Sequence, residues 1–511
     1  MKTSAKKMDG SALTTLHSIA DIKDYFARRD QRLYFISPTN FNMMDMHRWV
    51  KGWKNINLLD CFDGQHPDTL VIPDDHAEVF TSAEDINRYL ALAPATRALF
   101  SARLNAATSP GPSRGQVLFL FFNTHIEVLC KNDLCLDLIL PPHELVREID
   151  SKITTTEIGN QAGVFSVPNV VAHVGSYTAL RGIAAHAGLG ERWVIQSAYG
   201  DSGKTTFFIA GEADYDLVAS KIEGEETVKV MRWVRCTGTA IEACATHWGT
   251  VVGPLLTELI GAPALTPYAG GWCGNELYEA AFTSDQRQKV FAKTKAMGDA
   301  LYKRGYRGYF ELDYLIDMDT QEIYLGELNA RISGVTCMTN MSVFSQKHIP
   351  LFLFHLLEYD PTVHLTLDVD AFNQLQLNQG AQGTSSQLIL KYTEEPLRVI
   401  TQAPVSGVYR MEQGRLVLEK ASINRLEAAL QTQVYALRIL QQGDYAYEGG
   451  DLAILFLNQV IRGTEGQLNT TGLAWVAALK SSFTFRELTG AERSATELLL
   501  NPVNVKSGSM Q

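Results

Sequence analysis

The stretch Tyr309–Gly334, YFELDYLIDMDTQEIYLGELNARISG, decides the reading of this chain. Apolar and polar residues alternate on both sides of a polar turn at Asp317 to Gln321, the pattern of two strands joined in a hairpin. Successive side chains of a strand point to opposite faces, so Glu327, Asn329 and Arg331 fall in a row on one face and Tyr324, Leu328 and Ala330 on the other. On the first strand the same alternation groups Glu311 with Asp313, away from Phe310 and Leu312. The hairpin thus presents Asp313, Glu327 and Asn329 as hard oxygen donors beside a guanidinium. Such donors suit Mg²⁺, which takes one or two carboxylates and completes its shell with water and substrate phosphates. An arginine next to them suits a phosphoryl or carboxylate group. A solvated acidic face is the plain alternative; Tyr324, Leu325 and Leu328 around the acids argue instead for a cleft.

With 511 residues, 46% hydrophobic and 20% charged, the chain has the composition of a globular protein of two to four domains. A net charge of −11 argues against general nucleic-acid binding. The longest apolar run, Ile349 to Leu357, is too short to span a bilayer and contains His355. The start, MKTSAKKMDG, lacks the apolar region of a secretory signal. Seven cysteines without a CxxC pair fit reduced thiols. A cytoplasmic protein is expected.

Up to about residue 145 the sequence alternates short strands (Arg32 to Ile36, Ile56 to Leu59, Leu70 to Ile72) with a long helix expected from Ser82 to about Ala107. Val117 to Phe122 is an apolar run typical of a strand covered on both faces. This order is that of a small open α/β sheet. Beyond it, Glu148 to Asn169 reads as a helix ending near Gly163 that leads into a strand. Arg192 to Ser197 is a strand opening into AYGDSGKTTFFIAG, where Gly200, Ser202, Gly203 and Thr205 let backbone N–H groups and hydroxyls approach an anion and Lys204 adds a cation. It is no Walker A loop, because Ala198 stands where the first glycine is needed. Ser284 to Tyr302 is an amphipathic helix with Val290, Thr294, Met297 and Leu301 on one stripe. Pro267 to Glu276 is a glycine-rich segment fit to be a substrate entrance or a plain loop, and its Cys273 lacks an evident base. Further on, strands at Gln387 to Tyr392 and Arg398 to Thr401 precede a helix expected near Asn424 to Gln441 and a packed element around Trp475.

The succession of DxK at a helix start, strand, glycine- and serine-rich turn, connecting strand and a late D…E-x-N-x-R-x-S-G hairpin resembles the ATP-grasp superfamily over roughly Glu148 to Met341. The resemblance implies an α/β protein, α+β in its catalytic part: an N-terminal open α/β pre-grasp domain at 1–145, an ATP-grasp domain at 146–360 and a C-terminal α+β extension at 361–511. It implies ATP and Mg²⁺ (or Mn²⁺), with Asp313, Glu327 and Asn329 as metal ligands and Arg331 as the arginine that meets the transferred phosphoryl or acyl phosphate. Lys152 resembles the first of two phosphate-holding lysines. Gly200, Ser202, Gly203, Lys204 and Thr205 resemble the phosphate loop, and Met231 to Val234, including Arg232, the interdomain strand at adenine. Two residues depart from the pattern: Gln196 replaces the second phosphate lysine, with Lys204 the nearest candidate to compensate, and Arg232 replaces a usual acid. The implied activity is carboxylate–amine ligation through an acyl phosphate, on a small-molecule acid and an amine such as an amino acid or peptide, with a homodimer an open option. A biotin-carboxylase-type enzyme and a nucleotide-binding protein without turnover are the alternatives.

Overall fold

The computed structural model describes residues 13–73, 80–105, 114–200, 205–463 and 466–493. Near the N-terminus Leu33–Ile36 is the centre of a five-stranded parallel sheet, flanked by Trp53–Asn57 and Gln116–Phe119, with Thr69–Val71 and Asp137–Leu138 at its edges. Leu33–Ile36 and Val117 to Phe119 are apolar throughout because alternate residues enter two cores: Leu33, Phe35 and Leu118 one, Tyr34, Ile36, Val117 and Phe119 the other. The single helix expected after Ser82 is two, Ala83–Leu92 and Pro94–Asn105. Ser82 caps the first by accepting from the Asp85 N–H at 3.2 Å. Pro94 has no N–H to continue that helix and holds Ala93 out of the helical region, at φ −54°, ψ 138°.

The helix Lys152–Ala162 follows, capped by Ser151 and ended by Gly163 at φ +73°, a left-handed conformation that costs glycine no Cβ clash. It leads into a four-stranded antiparallel sheet, in the order Asn169–Ala172, Val228–Arg232, Trp193–Ser197, Thr206–Ile209. One face, with Val228, Val230, Ile195, Phe207 and Ile209, packs on Leu180 and Ala184 of the helix Tyr177–His186. The other face carries Val194, Gln196, Lys229 and Met231.

The largest sheet has ten strands and begins with the hairpin, Ile323–Asn329 at the edge and Gly308–Asp317 beside it. Cys236–Thr246, Gly249–Ile260 and Trp272–Leu277 come next, then Ser385–Lys391, Asp451–Leu457, Gln433–Arg438, Gly407–Glu412 and Arg415–Ala421. Residue 360 falls between the helix Phe352–Glu358 and the strand Val363–Leu365, yet the hydrogen-bonded ladder passes from Trp272–Leu277 to Ser385–Lys391 without a break. The end of the glycine-rich segment is therefore strand rather than loop. The helix expected near Asn424 to Gln441 is instead a short turn, Arg425–Glu427, and the strand Gln433–Arg438. Leucine and alanine there tolerate a helix, but ladders on both sides, to Gly407–Glu412 and Asp451–Leu457, override that preference. Trp475 lies in the helix Thr470–Lys480.

Strict alternation fails at one place in the hairpin. The register shifts between Asp313 and Tyr314, so that Asp313 faces Glu327 while Tyr314 faces Leu325 and Gly326 is left over. This bulge moves Tyr324 to the face of Asp313 and Glu327, opposite to the expectation from parity, and lets Leu325 and Leu328 enter the same core.

The helix Ser284–Lys303 lies across this sheet, its Val290, Thr294, Met297 and Leu301 all buried as the stripe predicts. Met297 is fully enclosed among Tyr314, Leu312 and their neighbours. Among the described residues no helix is long and apolar enough to cross a membrane. Met297→Ala should destabilise the fold by about 2–5 kcal/mol through the cavity it leaves, read as a lower urea midpoint; an unchanged midpoint would show that this helix does not pack as described.

Candidate active site

Three strands lay acids side by side on one face. Glu311 is opposite Asn329 on one side and Glu242 on the other, and Asp313 is opposite Glu327. Asn329 Nδ2 donates to Asp313 Oδ2 at 3.5 Å, while Asp313 Oδ1 is buried without a hydrogen-bond partner. Glu258, from the adjoining strand Gly249–Ile260, extends the row. Crowding shows in the titration of these groups. Burial, then Glu258, Glu311 and Glu327, hold Asp313 well above the usual carboxylate range. Burial and Glu242 do the same to Glu311, and burial with Glu327 pushes Glu258 up to about 8. Such a floor is short of positive charge, and an orphaned carboxylate oxygen beside an amide is the donor set a hard divalent cation completes. No group of three or more His, Cys, Asp or Glu side chains in ligating arrangement occurs among the described residues, so the candidate metal site consists of two carboxylates and an amide.

Cations reach this floor from elsewhere in the chain. Lys152, at the start of its helix, is buried, and its Nζ lies 3.0 Å from Glu327 Oε1 and donates to the Gly200 carbonyl at 2.9 Å. Gly200 sits at φ +150° with Thr205 against its Cα, so a side chain there would collide. Ser202, Gly203 and Lys204 lie outside the described residues. Gln196 is buried in the strand before the turn, its Nε2 donating to Thr206 Oγ1 at 3.3 Å and its Oε1 without a partner. Directly opposite it is Lys229, a fully buried lysine whose Nζ donates to Ser166 Oγ at 3.1 Å. Burial pulls the Lys229 ammonium down to about 8; Glu327 works against that shift and Lys152 adds to it. Ser166 in turn pairs with Leu325, two residues from Glu327, which ties the four-stranded sheet to the hairpin. At the far end of the same face Arg232 N–H donates to Pro168 and Trp233 N–H to Arg192, whose guanidinium lies 4.1 Å over the Trp233 ring. Val234 N–H makes no backbone hydrogen bond among the described residues.

Arg331 is not on the strand, which ends at Asn329; its N–H turns back to the Asn329 carbonyl at 2.8 Å. The turn sends its guanidinium to Asp150 at 3.2 Å and over the Phe121 ring at 5.6 Å. Beyond it, Gly334 packs so close to Trp272 that a Cβ would lie 2.4 Å from the ring. Glu242 holds this turn. It accepts from Tyr309 at 2.6 Å, from Ser333 at 3.2 Å and from Thr336, with Asn42 Nδ2 donating to the Ser333 carbonyl at 2.7 Å. Cys273 is buried, donates to the Leu259 carbonyl at 3.3 Å, and has its thiol pushed up to about 11 by burial, which suits packing and not nucleophilic attack.

The fold thus brings together Asp313, Glu327, Asn329, Arg331, Lys152 and Gly200, with Gln196 and Thr205 beside them and Arg232 and Val234 at the other end of the sheet. Sequence reasoning missed Lys229, Glu242 and Glu258. Each is a lone charge in an apolar strand (VKVM, TAIEACA, PLLTELI), and that isolation was the available signal.

No protein-family model matches the chain, and no curated protein does. Solved structures match over nearly all of it. The biotin carboxylase of Campylobacter jejuni, in a β-γ-ATP complex, is 12% identical at TM-score 0.56, covering 93% of this chain and 97% of its own. The biotin carboxylase domain of Hydrogenobacter thermophilus 2-oxoglutarate carboxylase, with MgADP, ADP and bicarbonate, is 11% identical at TM-score 0.54, covering 84% and 87%. N5-carboxyaminoimidazole synthase of Aspergillus clavatus, with ADP and 5-aminoimidazole ribonucleotide, is 11% identical at TM-score 0.52, covering 88% and 99%. The chain shares the fold of these structures, an α/β fold of the ATP-grasp type.

Burial pushes Glu242 from 4.5 up to about 7. The folded chain therefore holds a proton there that the unfolded chain releases, and this group's contribution to stability is lost as pH rises through that window. Between pH 4.5 and about 7 the wild type should lose melting temperature relative to Glu242→Gln and run parallel to it above; parallel curves throughout would mean that Glu242 does not titrate in the fold.

Proposed function

We propose that the chain is an ATP-dependent carboxylate–amine ligase that forms an amide or peptide bond and releases ADP and phosphate. The observation that carries this is the meeting of Asp313, Glu327 and Asn329 with Lys152 and Arg331 across one cleft. Asp313, Glu327 and Asn329 would hold Mg²⁺ (or Mn²⁺). Lys152 and Gly200, with Ser202, Gly203, Lys204 and Thr205, would take the phosphates, and the backbone of Arg232 to Val234 would take adenine, Val234 having an N–H to give. When bound, the nucleotide supplies the phosphoryl group that turns a substrate carboxylate into an acyl phosphate open to an amine.

The residues of the chain contribute position and charge. Arg331 presents a planar fork that holds both oxygens of a carboxylate, and Asp150 with the Phe121 ring fixes its plane. Lys152, now on Glu327, would hold a phosphate with little loss, because both partners offer it anionic oxygen. Glu242 keeps Ser333 and Gly334 in place behind Arg331.

Incubation with ATP, Mg²⁺, hydroxylamine and a panel of amino acids and peptides should trap a hydroxamate from the true acid and release ADP. Arg331→Lys should lose most of that trapping, since a point charge does not reproduce the fork. Glu327→Gln should remain folded and abolish Mg²⁺-dependent ADP release. ADP release that requires bicarbonate, with no hydroxamate from any acid, would replace this reading with a biotin-carboxylase type; nucleotide binding with no ADP release under any condition would leave a binding protein without turnover.

A further inference from the structure

Lys229 is a buried cation that feels Glu327 at a distance and has no carboxylate within ion-pair distance among the described residues. Its side chain is 1% exposed, and among the described residues its ammonium meets one neutral acceptor, Ser166 Oγ. Three donors on one buried ammonium call for more acceptors than a single hydroxyl, and a buried charge without a partner is costly. Its strand places it. Val228 and Val230 point into the core under the sheet, so Lys229 points to the other face, toward the floor that carries Glu327. Val171 and Gln196 are its two cross-strand neighbours, and directly opposed residues share a face with their Cβ atoms about 5 Å apart. Gln196 Oε1 is buried without a hydrogen-bond partner, so two side chains with unused polar capacity stand opposite each other, Gln196 in the strand that leads to the Gly200 turn.

We propose that Lys229 is the second cation for the polyphosphate of the nucleotide, delivered from the strand beside Gln196 and paired with Lys152 across the cleft. This rests on the ligase reading above for the presence of a nucleotide, and adds that the charge absent at position 196 is restored at the cross-strand position. Gln196 then donates its amide N–H to the same anion while its carbonyl oxygen accepts a hydrogen bond from the neighbouring ammonium. Lys204 is not required for the second charge.

The test uses the full chain and calorimetric binding of ATP and adenosine, with Lys229→Met, Ser166→Ala and the exchange Gln196→Lys with Lys229→Gln. Methionine keeps the length of the stem beside Met231, so the fold should hold. Lys229→Met should weaken ATP by about 10- to 100-fold, the worth of a charged hydrogen bond, and leave adenosine unchanged. Ser166→Ala, which removes the hydroxyl partner alone, should leave ATP binding within a few-fold. The exchange variant should recover most of the lost ATP affinity, a rescue that a merely structural lysine would not give. The proposal is overturned if wild type binds ATP and Lys229→Met binds it equally well, if ATP and adenosine weaken together, or if the exchange fails to restore ATP in a folded chain. A wild type that binds no ATP overturns the ligase reading itself and this proposal with it.

Discussion

Carboxylates crowded on the covered face of a sheet repel each other and have lost their water, and nothing within that sheet neutralises them. Glu242, Glu258, Glu311 and Asp313 are in this position, with the half-buried Glu327 beside them, and the rest of the architecture answers them. Lys152 comes from the helix before the four-stranded sheet, Lys229 from within that sheet, Arg331 from the turn after the hairpin. Neutral donors cover what remains: Tyr309, Ser333 and Thr336 converge on Glu242. The small sheet is thereby drawn over the large one by charge as well as by the Ser166 to Leu325 pairing. A divalent cation between them would relieve the same strain, which links metal binding to the closeness of the two sheets.

The parts of the fold that depend on local pattern were legible in the sequence. The hairpin at Tyr309–Gly334, the helix stripe of Ser284–Lys303 and the Gly163 cap rest on alternation, a 3.6-residue period and a left-handed turn, all local. What depends on register was hidden. The bulge at Gly326 looks like ordinary alternation until its partner strand is known, so alternation puts Tyr324 on the face opposite to the one it occupies. Lys229 acquires meaning only when its strand pairs with one more than thirty residues earlier, which no local window reveals. The strand Gln433–Arg438 reads as helix because its composition allows it, and only two flanking ladders decide otherwise. Alternation alone extends the strand to Arg331, although the chain turns before it.

Of the candidate site, the residue types were readable and the division of labour was not. Asp313, Glu327 and Asn329 share one face as parity predicts, yet Asp313 is the acid with an idle buried oxygen, and Glu327 the one already engaged by Lys152. Glu242 and Glu258, absent from any motif, sit behind and beside them. Their roles follow from what surrounds them: Glu242 braces a turn through Ser333 and Thr336, and Glu258, held protonated by burial and by Glu327, extends the row of acids.

The passage of the ladder from Trp272–Leu277 into Ser385–Lys391 has a consequence for how the chain can be divided. The last third of the chain is the neighbour that completes the hydrogen bonding of a strand next to the cleft. Cutting after residue 360 would leave the Asn275 and Glu276 backbone as an open edge in the middle of an apolar surface, a template for pairing with another copy. Evolution of this chain by loss or exchange of its C-terminal part is thus constrained by the need to keep that edge covered, whatever the part itself binds.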